Sequence, residues 1–449
     1  MGLFLLLAFA WALSTNRKLI PWRVIGWGLG IQLVFAVLIL KTAPGTWLFK
    51  QLNTGVMKLL SFTEEGSRFI FGNLVDNDLK LLGKDRSVPF DAGTAVSLDG
   101  HAELDLVVNN GSFFAFNVLP TIIFFSALMA VLYHLGVMQL LVRGMAWIMF
   151  KTMGTSGAET LSAAANVFVG QTEAPLVVRP FVDKMTLSEL HAIMTAGFAT
   201  VAGGVLAAYV ALLSGIFPDI AGHLIAASVL SAPAALVVSK IMWPETGQPA
   251  TANQLAEDLE QADDKPINTI DAAARGASQG MKLALNVAAM LLAFIALVAL
   301  VNGLVGAAGD GVAWIGAGLG IDFLNHFADL TLETLVGYIF WPLAWAMGVP
   351  AAECSQVGQL LGIKTILNEF YAYFHLKTVA GGLSERSMVI TTYALCGFAN
   401  LGSIGIQLGG IGGIAPPRRG DLARVGFRAM IAGTLAAFMT ANIAGALVG

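Results

Sequence analysis

The sequence contains few charged residues and almost no cysteine. Only 12% of its 449 residues are charged, whereas a typical soluble domain carries about 25%. Two cysteines, Cys354 and Cys396, are too few for a disulfide framework or a cysteine-based metal site. The net charge of −4, with no basic patch, gives no indication of nucleic acid binding. Because 56% of the residues are hydrophobic, the composition predicts a polytopic membrane protein.

Eight apolar segments are close to the length that crosses ~30 Å of hydrocarbon. The first lacks a basic N-terminal flank, so we interpret it as a span and not as a cleaved signal peptide. The stretch 41–111 predicts an amphipathic surface helix followed by a polar loop, and 242–281 predicts a loop with a helical piece. The predicted spans are 1–14, 24–40, 112–133, 187–215, 219–240, 282–306, 387–411 and 428–447.

An internal repeat surrounds two polar tips, Gln171-Thr172-Glu173 and Asn368-Glu369-Phe370, which lie in otherwise apolar sequence. Repeats with polar interruptions are typical of secondary transporters, whose binding sites lie where the copies meet. The matching elements are Met153-Gly154 with Met347-Gly348, Ala158-Glu159 with Ala352-Glu353, Leu187-Ser188-Glu189 with Leu383-Ser384-Glu385, and Gly197-Phe198-Ala199-Thr200 with Gly397-Phe398-Ala399-Asn400.

The segments around the two tips, 155–186 and 349–386, are predicted to be re-entrant hairpins, because their middles are polar and such backbone must be buried in protein or line a cavity. Residues 138–153 and 331–348 are predicted to be interfacial helices that lead into them. Lys and Arg cluster in alternate short loops, which predicts that both termini lie outside. Three spans separate the hairpins, so the repeat is predicted to be inverted.

Glu173 and Glu369 need a physical reason to lie within the membrane, where a carboxylate costs on the order of 3 kcal/mol. One interpretation is pairing with the nearby Arg179 or Lys364. The other is that helix N-termini at the hairpin tips direct their positive ends at the carboxylates, which then accept hydrogen bonds from a polar substrate. The repeat symmetry favours the second interpretation.

The two Gly-Phe-Ala tetrads indicate broken helices, although close packing through small residues is an alternative. A broken helix also frees carbonyl oxygens that could bind a hard cation such as sodium. Candidate oxygen ligands are the Asn166 amide, the Thr200 hydroxyl and the carbonyls of Val169 and Val201. The alternative for Asn166 is a simple hydrogen bond between helices.

Three motifs resemble those of the concentrative nucleoside transporter family, in its bacterial eight-span form. They are Gly170-Gln171-Thr172-Glu173-Ala174-Pro175, Asn368-Glu369-Phe370-Tyr371-Ala372-Tyr373 and Thr392-Tyr393-Ala394-Leu395-Cys396-Gly397-Phe398-Ala399-Asn400. The resemblance implies an inner-membrane homotrimer that imports nucleosides such as uridine with sodium, by an elevator-like mechanism. The departures are Tyr371 in place of Val, Thr200 in place of Ser, and Gly402 before Ser403; they leave the preferred base open.

The resemblance also implies roles for individual residues. Gln171, Thr172 and Glu173 would meet the nucleobase, and Val205 and Phe398 would pack on it. Glu369, Asn400 and Ser403 would hold the ribose, while Asn166, Val169, Thr200 and Val201 match the sodium position. The implied organisation is 1–137 for scaffold spans 1–3, 138–241 for the first transport-domain repeat, 242–330 for the polar loop and scaffold span 6, and 331–449 for the second repeat.

The predicted fold class is therefore an all-α polytopic membrane protein, with eight transmembrane helices and two re-entrant hairpins in an inverted repeat. Proton coupling remains an alternative to sodium, because Glu173 or Glu369 could carry a proton. A membrane-embedded hydrolase that uses these two glutamates as an acid–base pair is a second class of function, and a channel is a third. We expect a transporter and not an enzyme.

Overall fold

The structure is a computed structural model that describes residues 2–75, 78–80, 107–109, 114–252, 254, 266–319, 321 and 331–448. These residues form helices, apart from loops and one short antiparallel pair of strands, β1 (Asp78–Lys80) and β2 (Val107–Asn109). The predicted all-α class is therefore confirmed. The polar loop predicted after the amphipathic helix lies largely outside the described residues.

The N-terminal part contains α1 (Gly2–Ala12), α2 (Trp22–Lys41), α3 (Ala43–Phe71), α4 (Phe114–His134) and α5 (Val137–Met153). The structure has a helix, α3, in the segment predicted to be amphipathic, and its N-cap Thr42 accepts a hydrogen bond from Gly45 N at 3.1 Å. The prediction of a full span at 1–14 is wrong. With 11 residues, α1 rises only about 16 Å along its axis.

The first repeat contains α6 (Gly157–Ala165), α7 (Arg179–Val182), α8 (Leu187–Ala199), α9 (Gly203–Leu213) and α10 (Ile220–Met242). Serine and threonine capping boxes begin α6 and α8. After α6 the chain runs through an irregular tip and a 3-10 turn at Ala174–Val178 before it returns in α7. The predicted span 187–215 is interrupted between α8 and α9, as the Gly-Phe-Ala tetrad indicates.

A single helix, α11 (Thr269–Leu319), connects the two repeats and is far longer than the predicted span 282–306. This helix begins within 242–281, where the sequence predicts a loop with a helical piece, and it continues beyond residue 306, where the predicted span ends. Small residues let α11 lie directly on α4: a Cβ built on Gly276 would lie 2.6 Å from Ala130 Cβ, and one on Gly280 would lie 2.7 Å from Ile123 Cα. Packing against α4 thus supports the N-terminal turns of α11, which precede the predicted span.

The second repeat contains α12 (Leu332–Ala346), α13 (Cys354–Ile366), α14 (Glu369–Val379), α15 (Glu385–Leu395), α16 (Leu401–Ile414) and α17 (Arg419–Val448). Helices α13 and α14 pack together as a helical hairpin. The predicted span 387–411 is interrupted between α15 and α16, as the second Gly-Phe-Ala tetrad indicates. The predicted span 428–447 lies within α17.

Six helices of the described chain are long and apolar enough to cross a membrane, against eight spans predicted. The two that do not qualify are the short α1 and the broken segment of α15 and α16. Helix α10 is almost wholly buried and packs against α8 and α17, so it forms the centre of the protein. Helices α4 and α11 keep large exposed apolar faces, which suit contact with lipid.

Candidate functional site

The two Gly-Phe-Ala tetrads touch each other at the centre of the protein. Gly397 has a φ of +126°, and a Cβ on it would lie 2.7 Å from Phe198 O and 2.9 Å from Ala199 C. Only glycine tolerates this backbone conformation and this close approach. The breaks between α8 and α9 and between α15 and α16 therefore meet, as expected for two copies that share one site.

Glu369 is the first residue of α14, and its buried carboxylate is held by neutral donors. Oε1 accepts a hydrogen bond from the Tyr209 hydroxyl at 3.0 Å, and Oε2 accepts one from Asn400 Nδ2 at 3.0 Å. Lys364 does not form an ion pair with it; the ammonium donates instead to the Ala394 carbonyl at 2.7 Å. Because an ionised carboxylate has about four acceptor sites, Glu369 keeps capacity for further hydroxyl donors.

Asn400 joins Glu369 to the start of α16. While its nitrogen donates to Glu369, its Oδ1 accepts a hydrogen bond from Ser403 N at 2.8 Å, which makes Asn400 the N-cap of the helix. The same cap fixes Ser403, whose hydroxyl accepts a hydrogen bond from Gln171 Nε2 at 3.3 Å. A continuous set of contacts thus runs from the tip of the second hairpin to the tip of the first.

The remaining residues of the first tip differ in their exposure. Thr172 lies against α16 at Gly410, where a Cβ would lie 2.7 Å from its methyl group. Glu173 is exposed and accepts a hydrogen bond from Gly170 N at 3.2 Å. It precedes the 3-10 turn, and no ion pair with Arg179 is present in the described chain. The pairing interpretation therefore explains neither glutamate.

The two apolar candidates flank the helix breaks. Val205 is buried in the first turn of α9, and Phe398 is half-buried in the break before α16. Phe398 lies two residues before Asn400, and Val205 lies four residues before Tyr209, so both flank residues that contact Glu369.

The candidate ion ligands lie where the end of α6 meets the α8–α9 break. Gly203 N donates to Phe168 O at 3.1 Å, which joins these two segments. Asn166 is fully buried; its Nδ2 donates to Ser162 O at 3.0 Å, but its Oδ1 has no donor in the described chain. The Thr200 hydroxyl donates to Ala196 O and keeps its lone pairs. Val169 and Val201 supply backbone carbonyls in the same non-helical segments.

These ligands fit a sodium ion. A buried acceptor without a donor costs about 1–3 kcal/mol, and a cation would remove that cost at Asn166. Hard cations bind oxygen ligands of the kinds present here. In the described residues no group of three His, Cys, Asp or Glu side chains could hold a metal.

Sequence reasoning missed Tyr209, Gln407 and the buried pair of Lys240 and Glu159. Tyr209 lies in an apolar run with no local signal, and Gln407 is one amide in a glycine-rich helix. Lys240 Nζ lies 2.6 Å from Glu159 Oε2 and also donates to Ser188 Oγ at 2.9 Å. This network ties α6, α8 and α10 together, so the repeated Ala-Glu pair of the first copy has a structural role.

Three family models match the chain: "Na+ dependent nucleoside transporter N-terminus" over residues 1–74, "Nucleoside recognition" over 115–216, and "Na+ dependent nucleoside transporter C-terminus" over 223–445. The chain is 40% identical to solute carrier family 28 member 3 of Mus musculus, covering 99% of this chain and 58% of that protein. It is 43% identical to a transporter of Haemophilus influenzae, covering 100% and 97%.

The fold matches a solved relative along the whole chain. CNTnw in an inward-facing, substrate-bound state has a TM-score of 0.83 and 40% sequence identity, with coverage of 100% of this chain and 98% of that one. The chain spans less than two thirds of the mouse protein but nearly all of the bacterial relative. The bacterial relative is described as a transporter, which agrees with the class of protein that the sequence predicts. The chain therefore belongs to the sodium-dependent nucleoside transporter family.

Proposed function

We propose that this protein imports nucleosides such as uridine across the inner membrane by symport with sodium. The observation that carries the proposal is the set of contacts Glu369–Asn400–Ser403–Gln171, which joins the tips of both hairpins in one polar site. A transporter must bind its substrate between parts that separate, and contacts between the two repeats supply such a place.

The chemistry of the site suits a neutral ligand with several hydroxyl groups. A ribose offers hydroxyl donors that the free acceptor sites of Glu369 can receive, with Asn400 and Ser403 beside it. A base offers polar edge atoms to Gln171 and Thr172, directly or through water to Glu173, and an apolar face to Val205 and Phe398. A site for anionic solutes would instead place Arg or Lys at the tips.

Sodium at the Asn166 cluster would couple to the substrate through the first hairpin. Asn166 and Gln171 lie five residues apart on the same irregular tip, so an ion that fixes one fixes the other. Sodium would be bound by Asn166 Oδ1, the Thr200 hydroxyl and the carbonyls of Val169 and Val201. Proton coupling through Glu173 or Glu369 is the second candidate, favoured only by the presence of the carboxylates.

We further propose that residues 155–215 and 349–411 move as a unit, with the hairpins re-entrant from opposite sides and both termini outside. These segments lie within the proposed transport-domain repeats, 138–241 and 331–449. Helix α11 within 242–330 and the early spans within 1–137 form a static scaffold. The exposed apolar face of α11, with Leu292 and Leu300 on it, is suited to the centre of a homotrimer. The two repeats, joined by their mutual contacts, would then move together as one elevator-like transport domain.

The direct test is uptake of radiolabelled uridine into proteoliposomes, with sodium and pH gradients imposed separately. Uptake that saturates and follows the sodium gradient is expected. Uptake driven only by the pH gradient would show that the coupling ion is a proton and not sodium. Uptake that does not saturate would point to a channel, and hydrolysis of the nucleoside by the purified protein would point to an enzyme. No uptake under any gradient would overturn the proposal.

A further inference from the structure

Gln407 is a fully buried glutamine on α16 that contacts the first hairpin tip. Its Nε2 donates two hydrogen bonds, to Gln171 Oε1 at 3.0 Å and to the Met194 carbonyl of α8 at 3.1 Å. Its Oε1 has no donor in the described part of the chain. The nitrogen, and not the oxygen, therefore determines how this side chain is held.

The Met194 carbonyl determines the orientation of the Gln407 side-chain amide and, through it, that of the Gln171 amide. A carbonyl can only accept a hydrogen bond, so the nitrogen of Gln407 must face it. That nitrogen also lies against Gln171, which must present its oxygen in return. The nitrogen of Gln171 is then turned to Ser403. A hydroxyl can donate or accept, so Ser403 alone would not fix which way the Gln171 amide lies.

The packing around this pair leaves it little freedom. A Cβ on Gly197 of α8 would lie 2.9 Å from both Gln171 Cβ and Gln407 Nε2. Gly197 therefore makes the space in which the two amides meet. The hydrogen bond between them crosses from one repeat to the other, since Gln171 belongs to the first hairpin and Gln407 to α16.

We infer that Gln407 is a positioning residue for base selectivity: it fixes the Gln171 amide so that one N–H and one carbonyl lone pair face the nucleobase in a set order. The inference rests on the proposed nucleoside transport. A reversed amide would exchange donor and acceptor at the base edge. Uridine and cytidine differ in this order, because one carries an N3–H beside a carbonyl oxygen and the other an N3 acceptor beside an amino group.

The test is Gln407→Met, which keeps the length of the side chain and removes both hydrogen bonds. Sodium-dependent binding of uridine and cytidine is measured on the purified full-length protein. The ratio of the two affinities should change by about threefold to tenfold, the scale of one net hydrogen bond. The response of binding to sodium concentration and the loss on removing the ribose 3′-hydroxyl should stay as in the parent.

Two further variants separate positioning from a structural effect. In a Gln171→Ala background, Gln407→Met should leave the affinity ratio unchanged, because the residue acts through Gln171. Gln32→Met is the matched control: Gln32 is also fully buried, donates to a backbone carbonyl and has an unpartnered Oε1, but it lies on α2. If Gln407→Met fails to fold, Gly197→Ala displaces the same amide pair and should change the ratio similarly.

A parent protein that binds both nucleosides equally would overturn the inference, as would an unchanged ratio in folded Gln407→Met and Gly197→Ala. If Gln407→Met changes the affinity ratio as much in the Gln171→Ala background as in the parent, Gln407 does not act through Gln171, and the inference is overturned too. These failures differ from failure of the proposed function, in which the parent itself binds and transports no nucleoside.

Discussion

Replacing Glu369 with Gln should weaken ribonucleoside binding and leave the fold intact. Two donors face the carboxylate, the Tyr209 hydroxyl and the Asn400 amide nitrogen. A glutamine can satisfy both, with its oxygen toward Asn400 and its nitrogen toward Tyr209, whose hydroxyl can turn to accept. Both protein contacts are therefore retained, and the negative charge is the main loss.

The magnitude follows from the difference between charged and neutral acceptors. A hydrogen bond to a charged group contributes about 1.5–3 kcal/mol, and a neutral one about 0.5–1.5 kcal/mol. With one or two ribose hydroxyls bound to Glu369, the loss is about 1–3 kcal/mol, or about fivefold to 150-fold in affinity. Free nucleobases lack these hydroxyls, so their weaker binding should change little.

The assay is calorimetric or radioligand binding of uridine to purified protein at saturating sodium, with thermal unfolding to verify the fold. Tyr209→Phe serves as the matched control, because it removes one neutral donor and retains the carboxylate; its effect on affinity should be smaller. Unchanged uridine affinity in folded Glu369→Gln would refute the reasoning, and so would an equal loss for ribonucleosides and free bases.

Three other perturbations test the ion site, the buried network and the motion. Asn166→Leu should weaken sodium-stimulated binding strongly; titration of affinity against sodium decides, and a parent-like sodium dependence would place the ion elsewhere. Lys240→Met should lower the free energy of unfolding by about 3–5 kcal/mol, because it leaves the Glu159 carboxylate buried without its ion-pair partner. Thermal melting measures this loss, and the double variant Lys240→Met with Glu159→Gln should recover much of it. Equal melting temperatures for the parent and the single variant would contradict this prediction. Cysteines on the first hairpin and on α11 should crosslink in one state and block uptake, and continued uptake by the crosslinked protein would exclude elevator-like motion.

Local sequence predicted the helix breaks at the two Gly-Phe-Ala tetrads. A polar tip such as Gln171-Thr172-Glu173 in an apolar chain has few solutions in a membrane, because each unpaired backbone group there costs several kcal/mol. The same reasoning predicted that Gly397 would interrupt its helix. It did not predict the full length of α11, whose N-terminal turns pack on α4 through Gly276 and Gly280.

The sequence by itself determined the membrane class, the presence of an internal repeat and the choice of candidate site residues, because apolar length and repeated polar motifs are local properties. Only the tertiary structure decided which groups hold those residues. Tyr209 reaches Glu369 across 160 residues, and Gln407 reaches Gln171 across 236. No periodicity or spacing in the sequence predicts that such pairs are in contact. They form because the two helix breaks pack together, which brings distant polar groups close to one another in the protein interior, where most buried polar groups are hydrogen-bonded.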